Sequence, residues 1–367
     1  MQSEYDRIGS RIQQALSDTT FACSSLTSLR GGTTSYAFLC DLIQPYSPGA
    51  GDPVEKAIIK HAADHLSCSP DFSLSSSRCG FEASMLAALQ GGTRHGHCFN
   101  HPVMSTPRLY HLNEAQSVQI IEYVPNTVTV KEALRTLTPS QAASIGHSIG
   151  SWLRSFHDWT SESKQTKLRD AIAKNKDMKA LKWKVTWEQA TQVLERFPNI
   201  LAKWGKGLWE EIKDSKKKDA TVNDGEEIGI IHGDFWTGNI LMTDYSTDQL
   251  HVIDFELAHV SYRAIDIGQL IGDLLEMAHF NPSLAPSVIA LINSFIAGYE
   301  KVKEDMAFQI AIYAGVHMIN WWSRGSKGES KEGEKLLHKA LEILARAWRK
   351  DRVWLRENEA FCGLFES

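Results

Sequence analysis

The sequence predicts an α+β protein in two lobes: a small β-rich N-terminal lobe over residues 1–124 and a large, mostly helical lobe over residues 125–367. Three observations predict it. Residues 26–124 give the order strand, strand, strand, helix, strand, strand. From Ser140 onward, apolar residues recur at three- and four-residue spacing over much of the chain. That pattern is interrupted by an apolar strand at 228–231, a polar loop, a hairpin with a polar turn at 243–249, and another apolar strand.

In chain order, residues 28–39 are a turn rich in Gly and Thr, with Gly31 and Gly32 side by side, running into a strand. Residues 54–61 (VEKAIIKH) form another strand, with Lys60 near its end. Residues 77–89 have helical period, since Phe81, Met85, Leu86 and Leu89 can share a face; Glu82 sits on that helix. Residues 107–111 and 117–124 read as paired strands around a polar turn at 113–116, and Glu122 and Tyr123 close the second of them. Residues 126–137 are a short connection. Ile145, Ile149, Trp152, Leu153 and Phe156 then mark a helix, and helical patterns return at 187–197 and 200–212. Residues 213–227, which include Lys216, Lys217 and Lys218, read as a solvated surface loop. Further helices are expected at 266–278, 287–302, 305–322 and 333–354, with no internal repeat.

The composition, 43% hydrophobic and 23% charged, is that of a globular protein large enough to bury a core without staples. A formal net charge of -5 gives no general attraction to nucleic acid or anionic membrane. The polar, acidic N-terminus does not read as a secretory signal, and no apolar run approaches the roughly 20 residues of a membrane span. Cys23, Cys40, Cys68, Cys79, Cys98 and Cys362 show no paired spacing, so reduced thiols in a cytoplasmic protein are expected. His95, His97, Cys98 and His101 hold enough imidazole and thiol for zinc, but their spacing matches no structural zinc pattern and reads as a polar loop.

The interrupting segment carries the chemistry. It reads Ile231-His232-Gly233-Asp234-Phe235-Trp236-Thr237-Gly238-Asn239-Ile240-Leu241, then Val252-Ile253-Asp254-Phe255-Glu256. A carboxylate, an amide five residues on and a second carboxylate twenty residues on form the kit for moving a nucleotide's terminal phosphoryl group onto a hydroxyl. Asp234 is the candidate base, ionised at neutral pH and able to accept a hydroxyl proton, a contribution of about 10²–10⁴-fold. Asn239 and Asp254 offer magnesium the oxygen donors a hard cation requires. Glu256, two residues beyond Asp254, faces the same side if the segment is extended; it reads equally as a further metal ligand or as a salt-bridge partner. Lys60 is the candidate for the α and β phosphates, with Glu82 as its anionic partner; alone it would read as a surface lysine with its stem on the sheet. Gly31 and Gly32 let backbone N–H groups approach phosphate, and Glu122 and Tyr123 supply backbone groups for an adenine edge. Asp266 reads as a structural residue that caps its helix and braces the loop.

These residues resemble the aminoglycoside phosphotransferase and choline kinase-like superfamily, and most closely its fungal small-molecule kinases of the methylthioribose kinase and 4-hydroxytryptamine kinase type. The likeness rests on Ile58-Ile59-Lys60-His61-Ala62, the Glu82 helix, Asp234–Leu241, Asp254-Phe255-Glu256-Leu257 and the late His317-Met318-Ile319-Asn320-Trp321-Trp322. It implies a protein-kinase-like bilobal fold and transfer of phosphoryl from ATP, with magnesium, to a hydroxyl of a small molecule: an amino alcohol, a hydroxytryptamine-like phenol or a sugar. Asn239 stands where methylthioribose kinases tend to carry Ser, and Trp322 and Ser323 follow Trp321 where the resemblance implies an acid to pair with an acceptor ammonium. The catalytic loop lacks the Arg, and the Asp-Phe pair lacks the Gly, expected of a protein kinase. A pseudokinase-type nucleotide-binding regulator is the other alternative; the intact set Lys60, Glu82, Asp234, Asn239 and Asp254 argues against it. Trp236, Trp321 and Trp322 are candidate walls for an acceptor, against a reading in which tryptophans at helical spacing fill the core. The acceptor's identity, the choice of ATP over GTP and the oligomeric state are not legible.

Overall fold

The structure is a computed structural model that describes residues 4–29, 32–49, 52–90, 99–204, 206–222, 225–243, 249–320, 322 and 330–365. They fall into two compact units. One takes the described residues up to Phe99 together with Thr106–Asn126, and the other takes Asn100–Ser105 and the chain from Thr127 onward.

In the first unit, helix α1 (Glu4–Leu16) precedes strands β1 (Cys23–Leu29), β2 (Tyr36–Tyr46) and β3 (Val54–His61). A two-stranded hairpin, β4 (His65–Leu66) and β5 (Ser69–Ser73), leads to helix α2 (Arg78–Leu89). After strand β6 (Met104–Ser105), which belongs to the second unit, come β7 (Leu109–Asn113) and β8 (Val118–Glu122). The sheet order is β1-β2-β3-β8-β7, and every pairing is antiparallel. Period-two alternation divides β3: Ala57, Ile59 and His61 are buried, while Ile58 and Lys60 turn to the other face. Ala57 and Ile59 join Tyr36, Phe38, Val118 and Ile120 in one core with Ile8, Ile12 and Leu16 of α1. Burying an aliphatic side chain of this size stabilises by about 1.5–3 kcal/mol, so three at four-residue spacing hold α1 to the sheet. That helix and the β4–β5 hairpin went unpredicted.

The second unit contains β9 (Thr127–Thr129) and the helices α3 (Val130–Ala133), α4 (Pro139–Ser161), α5 (Thr166–Ile172) and α6 (Lys176–Trp183). There follow α7 (Gln189–Glu195), α8 (Pro198–Trp204), α9 (Lys206–Asp219), strand β10 (Ile228–Ile231), the hairpin β11 (Ile240–Thr243) and β12 (Leu250–Val252), and β13 (His259–Tyr262). The chain finishes with α10 (Ala264–Phe280), α11 (Ala285–Tyr299), α12 (Glu304–Asn320), α13 (Lys331–Trp348) and α14 (Arg352–Glu357). Helix α4 starts with a capping box between Thr138 and Gln141 and a proline in its first turn. It packs against α11 so closely that a Cβ at Gly150 would lie 2.1 Å from the Phe295 carbonyl oxygen.

Three expectations need correction. Residues 213–227 are not a solvated loop throughout: α9 runs to Asp219, and Lys216 is buried, with its ammonium on Asp219 and Gln309. Its long stem lets the ammonium reach Gln309 of α12, and this amide and the Asp219 carboxylate compensate the charge. The pattern at 333–354 is divided, since α13 ends at Trp348 and α14 begins at Arg352. Residues 282–299 do form an 18-residue stretch apolar and long enough to cross a membrane by composition alone; here Val288, Leu291, Ile292 and Phe295 are core.

Candidate active site

Strand β10 pairs antiparallel with β13, and the loop that follows β10 is tied down before it reaches Asp234. Gly233 has φ +82, and a Cβ there would sit 2.2 Å from the Leu257 carbonyl oxygen, so only glycine fits. His232 is fully buried. Its Nδ1 accepts the Asp234 N–H at 3.2 Å, which leaves Nε2 to donate to the Ile253 carbonyl at 2.9 Å. Phe235 is buried beside Trp152, ring centroids 5.9 Å apart, and Phe255 is buried beside Phe156. With the flanking ring driven into the core, the Asp234 side chain remains only partly buried.

Helix α10 holds the loop through three polar residues at i, i+3 and i+7, which share one helix face. Asp266 accepts the backbone N–H groups of His232 at 2.8 Å and Gly233 at 3.0 Å, and His157 Nε2–H at 3.1 Å. Burial pushes the Asp266 carboxyl up, but these donors outweigh it and hold the group below its usual range. Burial also pushes the His157 imidazole down, against the opposing pull of Asp266, and its Nδ1 bonds the Tyr299 hydroxyl at 2.9 Å. Asp266 therefore braces the loop as expected. It does not cap α10, whose N-cap is Arg263 with no side-chain cap bond, because its carboxylate is turned toward the loop. Gln269 donates to Asp234 Oδ1 at 2.7 Å. Asp273 accepts the Thr237 N–H at 3.2 Å and the Thr237 hydroxyl, and pairs with Lys131 at 3.2 Å.

Around Asp234, Oδ2 accepts Trp236 Nε1–H at 3.2 Å and Asn239 Nδ2–H at 3.1 Å; Asn239 Nδ2 also donates to the Asp234 carbonyl at 2.9 Å. Both partners of the Asn239 nitrogen are pure acceptors, so the amide orientation is fixed and Oδ1 is the end left to meet a cation. The ammonium of Lys131 lies 4.7 Å from the centroid of the Trp236 ring. The structure thus gives Trp236 a part in holding Asp234.

Asp254 stands at φ 72, ψ 59, a left-handed conformation that Asp tolerates better than most residues, and a single turn of 3₁₀ helix follows over Phe255–Leu257. The segment is therefore not extended, and the alternation argument for Glu256 does not apply. Even so, Asp254 and Glu256 each place a carboxylate oxygen within 4.8 Å of the other. Buried Asn175 fixes this turn by donating to the Glu256 carbonyl at 3.1 Å and the Ala258 carbonyl at 2.8 Å. Two carboxylates and an amide oxygen make an oxygen-only donor set that suits magnesium.

In the first unit, Lys60 Nζ lies 2.8 Å from both oxygens of Glu82, which is 2% exposed. Gln119, directly opposite Lys60 on β8, also donates to Glu82. The register of β3 against β8 therefore assembles an ammonium, a carboxylate and an amide on the sheet face opposite the α1 core. Gly32 is exposed, and a Cβ there would meet the Ser35 carbonyl at an ordinary 3.6 Å, so no steric need for glycine is visible. Glu122 ends β8, its N–H donating to the Arg108 carbonyl at 2.8 Å and its carboxylate accepting the Arg108 N–H at 3.0 Å; Tyr123 follows, half-buried.

Trp322, the other candidate acceptor wall on the late segment, is 4% exposed and packs near Phe197 and Phe280 and over Gly333. Gly31, Trp321 and the His95, His97 and Cys98 part of the polar loop lie outside the described residues. His101 is described, and it accepts the Met104 N–H at 3.2 Å. Gln269, Asp273, His157 and Asn175 were missed. The polar positions 266, 269 and 273 inside the otherwise apolar α10 were the available signal, because buried polar side chains at one-turn spacing need a partner.

A sheet-bound lysine–glutamate pair and a braced Asp-Asn loop followed by two carboxylates define a kinase-like phosphotransferase. Residues 78–304 match the model of the phosphotransferase enzyme family, and the chain belongs to that family. It is 26% identical to phosphotransferase FrzJ of Cladobotryum sp, with 96% of this chain and 95% of that protein covered. It is 23% identical to the 4-hydroxytryptamine kinase of Psilocybe cyanescens, with 90% of each covered. A solved structure of a candidate aminoglycoside phosphotransferase from Ralstonia eutropha superposes with a TM-score of 0.52 at 13% identity, covering 94% of this chain and 98% of that one. The fold is the protein-kinase-like bilobal one, and the protein is a phosphotransferase of the small-molecule kinase class.

Proposed function

We propose that this protein is an ATP- and magnesium-dependent kinase that transfers the γ-phosphoryl group to a hydroxyl of a small metabolite. The observation that carries the reading is the state of Asp234: its carboxylate is aimed by three side-chain donors in a loop whose neighbours are anchored to α10. In this role Asp234 takes the hydroxyl proton as the acceptor oxygen bonds to phosphorus, and the electron pair of the broken bond stays on the departing diphosphate. Asn239 Oδ1, Asp254 and Glu256 would hold magnesium, whose chemistry is to neutralise charge that builds on the phosphate oxygens. Lys60, kept in place by Glu82, binds the α and β phosphates. The Gly31-Gly32 turn contributes backbone N–H groups, and the strand end at Glu122 and Tyr123 contributes backbone groups to the base.

The acceptor class is an amino alcohol, a hydroxytryptamine-like phenol or a sugar, with Trp236 at its edge. The relative named as a 4-hydroxytryptamine kinase keeps a phenol of that kind in the set. The free cysteines Cys23, Cys40, Cys68, Cys79 and Cys362 support a place in the reducing cytoplasm.

The test is ATP consumption, with magnesium, against a panel of choline, ethanolamine, methylthioribose, hydroxytryptamines and an aminoglycoside, with products read by mass. A phosphorylated small molecule that is lost on removing magnesium, and lost in Asp254→Ala, supports the reading. Phosphate found only on protein, or tight ATP binding with no product from any acceptor, would replace it with a protein kinase or a nucleotide-binding regulator.

A further inference from the structure

We propose that Oδ1 of Asp234, not Oδ2, receives the acceptor's proton, and that Gln269, oriented by Lys182, is the positioning residue that presents it. This rests on the reading of Asp234 as the base.

The argument is a count of lone pairs. An ionised carboxylate has about four acceptor sites, two on each oxygen. Oδ2 already accepts Trp236 Nε1–H and Asn239 Nδ2–H. Oδ1 accepts Gln269 Nε2–H at 2.7 Å, and among the described residues no other side chain donates to it. One lone pair therefore remains, and it lies on the oxygen that Gln269 holds. A hydroxyl that approaches Oδ2 would have to displace the indole or the Asn239 amide, and the latter is needed for Asn239 to keep its oxygen turned outward.

A glutamine can present either end of its amide, and only the nitrogen end helps here. Lys182, on α6, removes that freedom: its ammonium is a donor without acceptor capacity, and it bonds Gln269 Oε1. The amide nitrogen is then the end that faces Asp234. Gln269 is 4% exposed and Lys182 9% exposed, so water has little access to compete for either bond. Lys182, Gln269 and Asp234 form a directed chain, cation to amide oxygen and amide nitrogen to carboxylate, in surroundings where each bond polarises the next. A structural cross-link between α6 and α10 would need only contact. The orientation of the amide is what a role in positioning requires.

The test uses the intact protein and magnesium–ATP alone, with water as the acceptor and released phosphate as the readout. Gln269→Leu removes the donor, and Gln269→Glu keeps the length and the bond to Lys182 but sets an acceptor against an acceptor. Both should lower kcat by about 10- to 100-fold, the size of one hydrogen bond to a charged group, with KM for magnesium–ATP unchanged. Lys182→Met should lower kcat less, and it should add no further loss on top of Gln269→Leu. In the nucleotide-free protein, the Gln269 side-chain amide resonances, assigned by their loss in Gln269→Leu, should move in both Asp234→Asn and Lys182→Met. A purely structural link predicts the reverse for Gln269→Glu, whose ion pair with Lys182 is strengthened: near-normal kcat. That result, or amide resonances indifferent to Asp234→Asn, would overturn the proposal. Asp234→Asn separates the two levels. If that variant hydrolyses ATP at the normal rate, the base assignment itself falls; if it is inactive while both Gln269 variants are normal, only the positioning role falls.

Discussion

Asp266 Oδ1 accepts the Gly233 N–H at 3.0 Å, so a carboxylate on helix α10 fixes the backbone immediately before the candidate base. Its other oxygen holds His232 N–H and His157. Asp266→Ala leaves these donors buried without an acceptor. We expect a loss of roughly 3 kcal/mol in unfolding free energy, read from urea midpoints, with turnover falling as well. An effect within about 0.5 kcal/mol would show that the brace is dispensable.

Gly233→Ala tests the same loop from the backbone side. The new Cβ meets the Leu257 carbonyl at 2.2 Å in a conformation that disfavours any side chain. Overpacking and strain together should cost on the order of 2–4 kcal/mol, visible as a lower melting temperature. By contrast, Gly32→Ala should be close to neutral in stability, because its Cβ has room.

The Lys60–Glu82 pair separates stability from function. Lys60→Met leaves the nearly buried Glu82 carboxylate with the neutral Gln119 amide as its donor among the described residues and should destabilise by about 2–4 kcal/mol. Adding Glu82→Gln removes the uncompensated charge and should return most of that loss. ATP affinity, measured by calorimetry, should stay weak in the double variant, since the phosphate-binding ammonium is still missing. If ATP binding recovers together with stability, Lys60 is a structural residue.

Acid should destabilise the protein through buried histidines. Burial pushes the His259 imidazole down to about 4, against an opposing hydrogen bond to the Leu257 carbonyl, whereas an unfolded histidine titrates near 6.5. A depressed folded value means stability is complete above about 6.5 and is lost as pH falls toward 4. The unfolded chain takes up the proton first. Between pH 7.5 and 5 this group alone accounts for about 2 kcal/mol. Burial of His157 and His61 acts with the same sign. Urea unfolding at the two pH values should show the drop, and His259→Asn, which can still donate to the Leu257 carbonyl, should reduce it.

Much of the loop chemistry was legible because it is local. Asp234 and Asn239 are five residues apart in one turn, and Lys60 and Glu82 lie twenty-two residues apart on a strand and a helix whose periodicities are clear. What escaped is mostly non-local or bifunctional. Gln269 lies thirty-five residues from Asp234, and a glutamine in an apolar helix gives no hint of its partner. Lys216 reads as surface in a lysine run, yet it is buried because Gln309 and Asp219 accept its charge. The left-handed turn at Asp254 left no sequence mark, because Asp adopts it with modest strain.

The most direct measurement is the magnesium-dependent rate of phosphoryl transfer from ATP in Asp234→Asn, set against the unaltered protein, with ATP affinity measured on both. The account predicts unchanged ATP binding and an unchanged fold, with transfer reduced by about 10²–10⁴-fold because the hydroxyl proton has lost its acceptor. A variant that binds ATP and still transfers phosphate at near the original rate would contradict it.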